Sequence, residues 1–257
     1  IMGLGEVNGK KVNMEVVAAG TYRLDVPNGP TYYASSVNIR QFAQRFMYKR
    51  FIKGKDNKPN FFMKTLMHDN LNDDLKDNMG GFNCGKPAGY IKDWAALPEK
   101  MQTLIKDIKR VRVLIGTLEL VDATDDNGKP VSVDPTPFIW EIDNREAFKI
   151  IGEAITKLVK TNRLPVQHNM VSLTEERPLP NGDSYFVPKV SYDIINNIET
   201  SDEDHETFAM VVAWIDNYNS YITSTWAEKA TEKMDKEDED IVDGLVDLEI
   251  DDEVEVA

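Results

Sequence analysis

The chain has 257 residues, 41% of them hydrophobic, which is enough for one large domain or two modest ones with their own cores. It contains no run of about 18 apolar residues, so we expect that it does not enter a membrane. The single cysteine, Cys84, cannot form an internal disulfide, which favours a reducing compartment such as the cytoplasm. This cysteine and the three widely separated histidines offer no zinc-ligand spacing.

The formal net charge of −14 is unevenly distributed along the chain. Residues 228–257 hold 14 Asp and Glu against 3 Lys, a net charge of −11. The preceding 227 residues hold 30 acids and 27 bases, a net charge of −3. The body is therefore nearly balanced, and the acidity marks a tail with a separate role.

The first half of the sequence is rich in strand signals. In chain order, we predict β segments over residues 13–26 with a break at Gly20, 31 to about 39, 45–52 and 60–68. The last two are aromatic-rich runs on either side of a polar loop that contains Gly and Pro, which predicts a long hairpin. Ile39, Phe42 and Phe46 also fit a helical stripe, so the start of this hairpin is ambiguous.

The second half alternates between helix and strand signals. Asp143 followed by Glu146 resembles a capping box and predicts the start of a helix. Gly116 predicts a bulge or bend within a strand. The predicted elements are a helix over 98–108, strands over 109–123 and 131–142, the helix after Asp143, strands over 166–173 and 184–192, and a helix over 206–226. Residues 228–257 have too few apolar side chains to offset their ordering entropy, which predicts disorder.

The order of these elements, with a helix between the third and fourth strand regions, matches an OB-type barrel. We therefore predict an α+β protein with an OB-like antiparallel β-barrel elaborated by helices. Three regions follow from this interpretation: an OB-like nucleic-acid-binding portion (1–142), an α/β portion packed on it (143–227) and the acidic tail (228–257).

Residues 36–66 combine cations with aromatic rings. Eight Lys and Arg face a single acid, Asp56, in this segment, a local net charge of +7. Single-stranded nucleic acid favours this combination, because cations follow the phosphates and exposed rings stack on bases. A second basic cluster lies at the start of the strand over 109–123. We predict a nucleic-acid site formed by Arg40, Arg45, Tyr48, Lys49, Arg50, Phe51, Lys53, Lys55, Lys64, Lys109, Arg110 and Arg112.

Other interpretations of these residues stay open. The rings could be core and the cations a solvated face, or the basic hairpin could dock an acidic protein in an assembly. The acids between Asp69 and Asp77 could form the metal site of an enzyme. The stretch 80–86 (GGFNCGK) has phosphate-loop spacing, but Pro87 stands where that motif needs Ser or Thr. We expect a binding protein with no catalytic residue, no cofactor and no metal.

A basic, aromatic, OB-like body followed by an acidic C-terminal tail resembles the single-stranded-DNA-binding proteins of tailed bacteriophages. The stretches 237–240 and 251–255 carry the likeness of the tail, and residues 13–142 carry that of the body. This resemblance implies that the chain coats exposed DNA strands during replication or recombination in the host cytoplasm. It also implies that the tail competes with DNA and recruits a polymerase or helicase.

Overall fold

The computed structural model describes the backbone of residues 2–7, 10–15, 17–54, 59–87 and 91–246, and side chains over 17–54, 59–87 and 91–232. Within this part of the chain it is an α+β protein. The strands are β1 (Met2–Val7), β2 (Lys10–Glu15), β3 (Tyr22–Asp25), β4 (Thr31–Ala34), β5 (Ser36–Ile52), β6 (Phe61–Lys64), β7 (Ile108–Val121), β8 (Thr136–Ile142), β9 (Met170–Pro178) and β10 (Ser184–Tyr192). The helices are α1 (Glu99–Asp107), α2 (Arg145–Val159) and α3 (Asp202–Val246). The predicted α+β class is confirmed.

The chain divides into two compact units. The first contains Ile1–Arg45 and Val111–Ala213, and the second contains Phe46–Arg110 and Trp214–Ala257. The predicted boundary at residue 142 does not coincide with this division, because residues on both sides of it belong to the first unit. The sequence suggested successive regions, whereas β5, β7 and α3 each contribute residues to both units.

The first unit is organised around a mostly antiparallel sheet with the strand order β10-β9-β5-β7-β8. Two hairpins, β1–β2 and β3–β4, form separate two-stranded sheets. Over the ranges described above, the strands form no closed barrel, so the predicted OB-type closure is not found. Barrel closure requires the terminal strands of a sheet to pair with each other. The order of elements along a sequence does not specify that pairing.

Strand β5 is a single strand of 17 residues. Its first part alternates strictly, with Val37, Ile39, Gln41 and Ala43 buried and their neighbours partly exposed, as expected for a sheet with one covered face. The alternative helical stripe through Ile39 is therefore not used.

Strand β7 continues through Gly116 rather than bulging there. A Cβ at Gly116 would lie 2.0 Å from the carbonyl oxygen of Arg40. Glycine is therefore required by the close approach of two backbones, and not by a bend as predicted.

Helix α2 covers the sheet of the first unit. Its N-cap is Asn144, not Asp143 as predicted, and the Asn144 side chain accepts hydrogen bonds from the backbone N–H groups of Glu146 and Ala147 at 2.9 and 3.0 Å. Apolar residues recur along one face of the helix and are buried with sheet residues such as Leu114 and Met170. The buried α2 residues are Ala147, Ile151, Ile155 and Leu158.

In the second unit, α3 supports the segment that follows β6. The Asn219 side chain accepts from the backbone N–H of Met67 at 2.7 Å and donates to the Met67 carbonyl at 3.0 Å, as a paired strand would. Further along, Gly80 has a left-handed φ of +73°, and a Cβ there would lie 2.7 Å from the backbone nitrogen of Ala230. This contact requires glycine, and it fixes the loop against the helix.

Helix α3 extends well past its predicted end at residue 226 and reaches Val246. The prediction of disorder is thus wrong for residues 228–246, and residues 247–257 lie outside the described residues. The prediction considered only burial. Extending an existing helix costs far less than starting one, and pairs such as Lys229 with Glu232, 2.8 Å apart, help to propagate it.

Candidate nucleic-acid interface

The predicted hairpin is confirmed in the second unit, where the end of β5 pairs with β6. Lys49 lies opposite Lys64, and Phe51 lies opposite Phe62. Because side chains alternate along a strand and directly opposed residues share a face, these four side chains lie on one face of the hairpin. We call Lys49, Phe51, Phe62 and Lys64 the β5–β6 face.

Both rings of the β5–β6 face are exposed. Phe51 retains 46% and Phe62 retains 48% of its accessible surface. Their centroids are 5.3 Å apart at an interplanar angle of 59°, and Lys49 Nζ lies 5.2 Å from the Phe62 centroid. The two opposed lysines place two positive charges beside these rings.

The opposite face of the hairpin belongs to the core. Tyr48 is 3% exposed and packs with Leu75 and Cys84, and its hydroxyl donates to the Leu71 carbonyl at 3.0 Å. Burial raises the pKa of the Tyr48 hydroxyl, and the nearby charge of Arg110 opposes this. The prediction that Tyr48 stacks on bases is wrong, because its ring is inaccessible to a ligand.

Burial also raises the pKa of the Cys84 thiol, with a further contribution from Asp77. A thiol held in its protonated form is a poor nucleophile. Cys84 and its neighbour Asn83 both have positive φ, 55° and 53°. The Asn83 side chain stabilises this turn by accepting from the Leu75 N–H at 2.9 Å. The GGFNCGK stretch is therefore a structural turn packed into the core.

The other predicted cations of the second unit differ in environment. Arg50 lies on the Tyr48 side of the strand, and its buried Nε has no hydrogen-bond partner in the described part of the protein. Lys53, Lys109 and Arg110 are exposed. Lys55 lies outside the described residues.

Three predicted arginines lie in the first unit. Arg40 forms a two-pronged ion pair with Asp204, at 2.6 and 2.7 Å, and also donates to the Val166 carbonyl. Arg112 is buried, donates to Gln44 Oε1 and lies 4.5 Å from the Phe148 ring centroid. Burial lowers its pKa to about 10. Arg45 donates to the Gln44 carbonyl at 2.9 Å.

These contacts assign Arg40 and Arg112 to the internal structure of the first unit. These two members of the predicted site are not presented to phosphates, because Arg40 is paired with the buried Asp204 and Arg112 is itself buried. Net local charge in the sequence does not distinguish a buried, paired arginine from an exposed one.

The acidic loop does not gather into a metal site. Asp73 lies 3.5 Å from His68, Asp74 accepts from the Asn83 side chain, and buried Asp77 accepts from the backbone of Met79 and Gly81. Across the residues with described side chains, no three acidic, histidine or cysteine side chains are grouped to hold a metal ion. The metal-enzyme interpretation has no support from this geometry.

The predicted site omitted one residue of the β5–β6 face. Phe62 was recognised only as part of an aromatic run, and its pairing with Phe51 in the hairpin is the signal that identifies it. Lys86, the last residue of the GGFNCGK stretch, lies beside the buried Tyr48 instead, with its Nζ 5.6 Å from that ring centroid. Burial and the Arg110 charge lower the Lys86 pKa, so these two cations are close together.

Comparisons with protein-family models, curated proteins and solved structures found no match to this chain. In the portion of the chain that the structure describes, no helix combines the length and apolar character needed to cross a membrane.

Proposed function

We propose that this protein binds single-stranded DNA through the β5–β6 face. The observation that carries the proposal is the placement of two exposed phenylalanine rings between two lysines on one face of a hairpin. The rings offer stacking surfaces to two bases, and the lysines offer charge to the phosphates that flank them. Lys53, exposed just beyond β5, extends the basic surface.

Exposed rings favour a single strand over a duplex. Bases in a duplex are already stacked, so their faces are not available to Phe51 and Phe62. An unpaired strand offers both base faces and phosphates, which matches the two chemical types in the β5–β6 face. An acidic protein partner would engage the lysines through its carboxylates, which do not require two exposed rings beside them.

The physiological role that we infer is the coating of single strands during DNA replication or recombination, in the cytoplasm of a host cell if the protein is viral. This inference draws on the likeness to bacteriophage proteins in composition and tail charge. It does not require a closed OB-type barrel, since a two-stranded hairpin presents the whole β5–β6 face.

The acidic C-terminal region is proposed to compete with DNA for this face and to recruit a polymerase or helicase once displaced. It belongs to the same unit as the β5–β6 face and carries a net charge of −11 over residues 228–257. Tethering gives such a segment a high effective concentration near the lysines. Changing every acid in 247–257 to its amide should therefore strengthen DNA binding at low salt.

This competition is electrostatic, so the gain should vanish near 1 M salt, where the Debye length is about 3 Å. Titrations of both full-length proteins with oligo-dT at several salt concentrations measure it. Equal affinities at low salt would show that the acidic segment does not compete.

The proposed site is tested by changing Lys49 and Lys64 together to Gln. Each phosphate contact on a single strand contributes about 0.7 to the slope of log K against log salt, so the slope should fall by about 1.4. The matched control changes Lys149 and Lys189, two exposed lysines of the first unit, to Gln. A slope that is unchanged in the first variant, or equally reduced in the control, would contradict this site.

A further inference from the structure

A cleft in the first unit has no role in the proposed DNA site. It has a volume of about 290 Å³ and lies between α2 and the end of β10. Its lining is largely apolar, with Ala154, Leu158, Val190 and Tyr192 on the two elements. Water in such a cleft finds few polar partners, so aliphatic side chains could displace it favourably.

Exposed apolar residues continue this cleft along the chain. Ile194 lines it, and the next residue, Ile195, retains 88% of its accessible surface. The loop that presents them is held by Asp193, whose carboxylate accepts from the backbone N–H groups of Ile195 and Asn196 at 3.0 and 3.1 Å. The hydrogen bond from the Asn196 side chain lowers the pKa of Asp193 most, and these two backbone hydrogen bonds lower it further. The isoleucines are thus displayed on an ordered turn.

The charged residues of the cleft are cations. Lys157 and Arg163 line it, and neither forms an ion pair with any residue whose side chain the structure describes. The nearest acid along α2 in sequence, Glu153, lies 3.8 Å from Lys149 instead. An apolar cleft bordered by cations is complementary to a peptide that alternates acidic and apolar residues.

The chain itself contains such a peptide at its C-terminal end. Residues 247–257 (DLEIDDEVEVA) contain six acids, no cation and four aliphatic residues larger than alanine. Fully extended, eleven residues span at most about 36–40 Å beyond Val246. We propose that this segment of one copy docks into the α2–β10 cleft of a second copy, with its aliphatic side chains in the cleft and its carboxylates near Lys157 and Arg163.

This inference goes beyond DNA binding, and its test uses full-length protein without DNA. One variant carries Lys157→Glu and Arg163→Glu, which reverses the charge of the cleft. The other carries amides in place of every acid of 247–257, which neutralises the segment. Sedimentation velocity at about 50 mM salt, where screening is weak, measures association.

Each variant alone should lose the dimers that the unmodified protein forms, because each lacks one half of the contact. An equimolar mixture of the two variants should form dimers again, since the intact segment of the first variant can occupy the intact cleft of the second. The matched control, Lys149→Glu with Lys189→Glu, makes the same charge change on α2 and β10 outside the cleft and should still associate.

Three outcomes would overturn the proposal. If the cleft variant still associates by itself, the segment binds elsewhere, for example on the β5–β6 face. If mixing does not restore dimers, the segment and the cleft are not the two halves of one contact. If the unmodified protein forms no dimers, the segment of a second copy does not occupy the cleft. None of these results depends on whether the β5–β6 face binds DNA.

Discussion

The most informative single change is Phe62→Ala, because Phe62 lies at the centre of the proposed interface. Its ring is opposite Phe51 and close to Lys49 Nζ. Stacking of one base on an aromatic side chain contributes roughly 1–3 kcal/mol. At 1.4 kcal/mol for each factor of ten, this predicts that the Kd for oligo-dT rises roughly 5- to 150-fold.

The same change should have a small effect on folding. Full burial of a phenylalanine contributes about 1.5–3 kcal/mol, and Phe62 is 48% exposed, so its loss should lower the free energy of unfolding by about 1 kcal/mol. The slope of log K against log salt should not change, since removing a ring releases no counterions.

Fluorescence anisotropy of a labelled oligo-dT, at several salt concentrations, measures both quantities. Phe208→Ala is a suitable control, because Phe208 is 49% exposed but lies in the first unit. Unchanged affinity in a folded Phe62→Ala protein would refute the stacking argument. A fall in the salt slope would show instead that the ring positions Lys49 rather than a base.

Three further predictions concern stability. Tyr48→Ala should lower the free energy of unfolding by about 3–5 kcal/mol, measured by urea denaturation, because it removes a buried aromatic side chain; a loss below 1 kcal/mol would place Tyr48 outside the core. Gly80→Ala should lower the melting temperature more than Gly182→Ala. Both glycines have a positive φ, but only a Cβ at Gly80 would meet backbone atoms. Equal shifts in melting temperature would mean that the backbone strain alone matters and the contact does not. The hydrogen bonds from Arg40 hold the pKa of Asp204 below its ordinary value, so they stabilise the folded protein while Asp204 is ionised. This stabilisation is complete above the unfolded-state pKa of about 4, and it is lost as pH falls towards the lower folded-state pKa. Unfolding curves from pH 7 to pH 3 should show this loss in the unmodified protein and a smaller one in Asp204→Asn; equal slopes would contradict it.

Local patterns were sufficient to predict many elements. The strand over 184–192 has the predicted bounds, and α1 lies within the predicted helix over 98–108. The hairpin around residues 53–59 followed from two β-type runs separated by turn-forming residues. Such predictions succeed because backbone preferences and hydrophobic periodicity act over a few neighbouring residues.

Predictions that depended on distant partners were less successful. Arg40 was assigned to the nucleic-acid site from local charge, but its partner Asp204 lies 164 residues away. The prediction of a closed barrel failed for the same reason, since closure depends on which strands pair. The extent of α3 was underestimated because charged residues can extend a helix that is already anchored by packing.

The candidate interface shows where the two kinds of information meet. The sequence by itself determined that a basic, aromatic hairpin exists and that its side chains alternate between two faces. Because Tyr48 and Phe51 are three residues apart in one strand, this alternation puts their rings on opposite faces. Only the tertiary structure decided which face is exposed, because Leu75 and Cys84 pack against Tyr48 and leave Phe51 and Phe62 accessible. Alternation has a period of two residues and treats both faces alike, and only packing by residues distant in sequence distinguishes them.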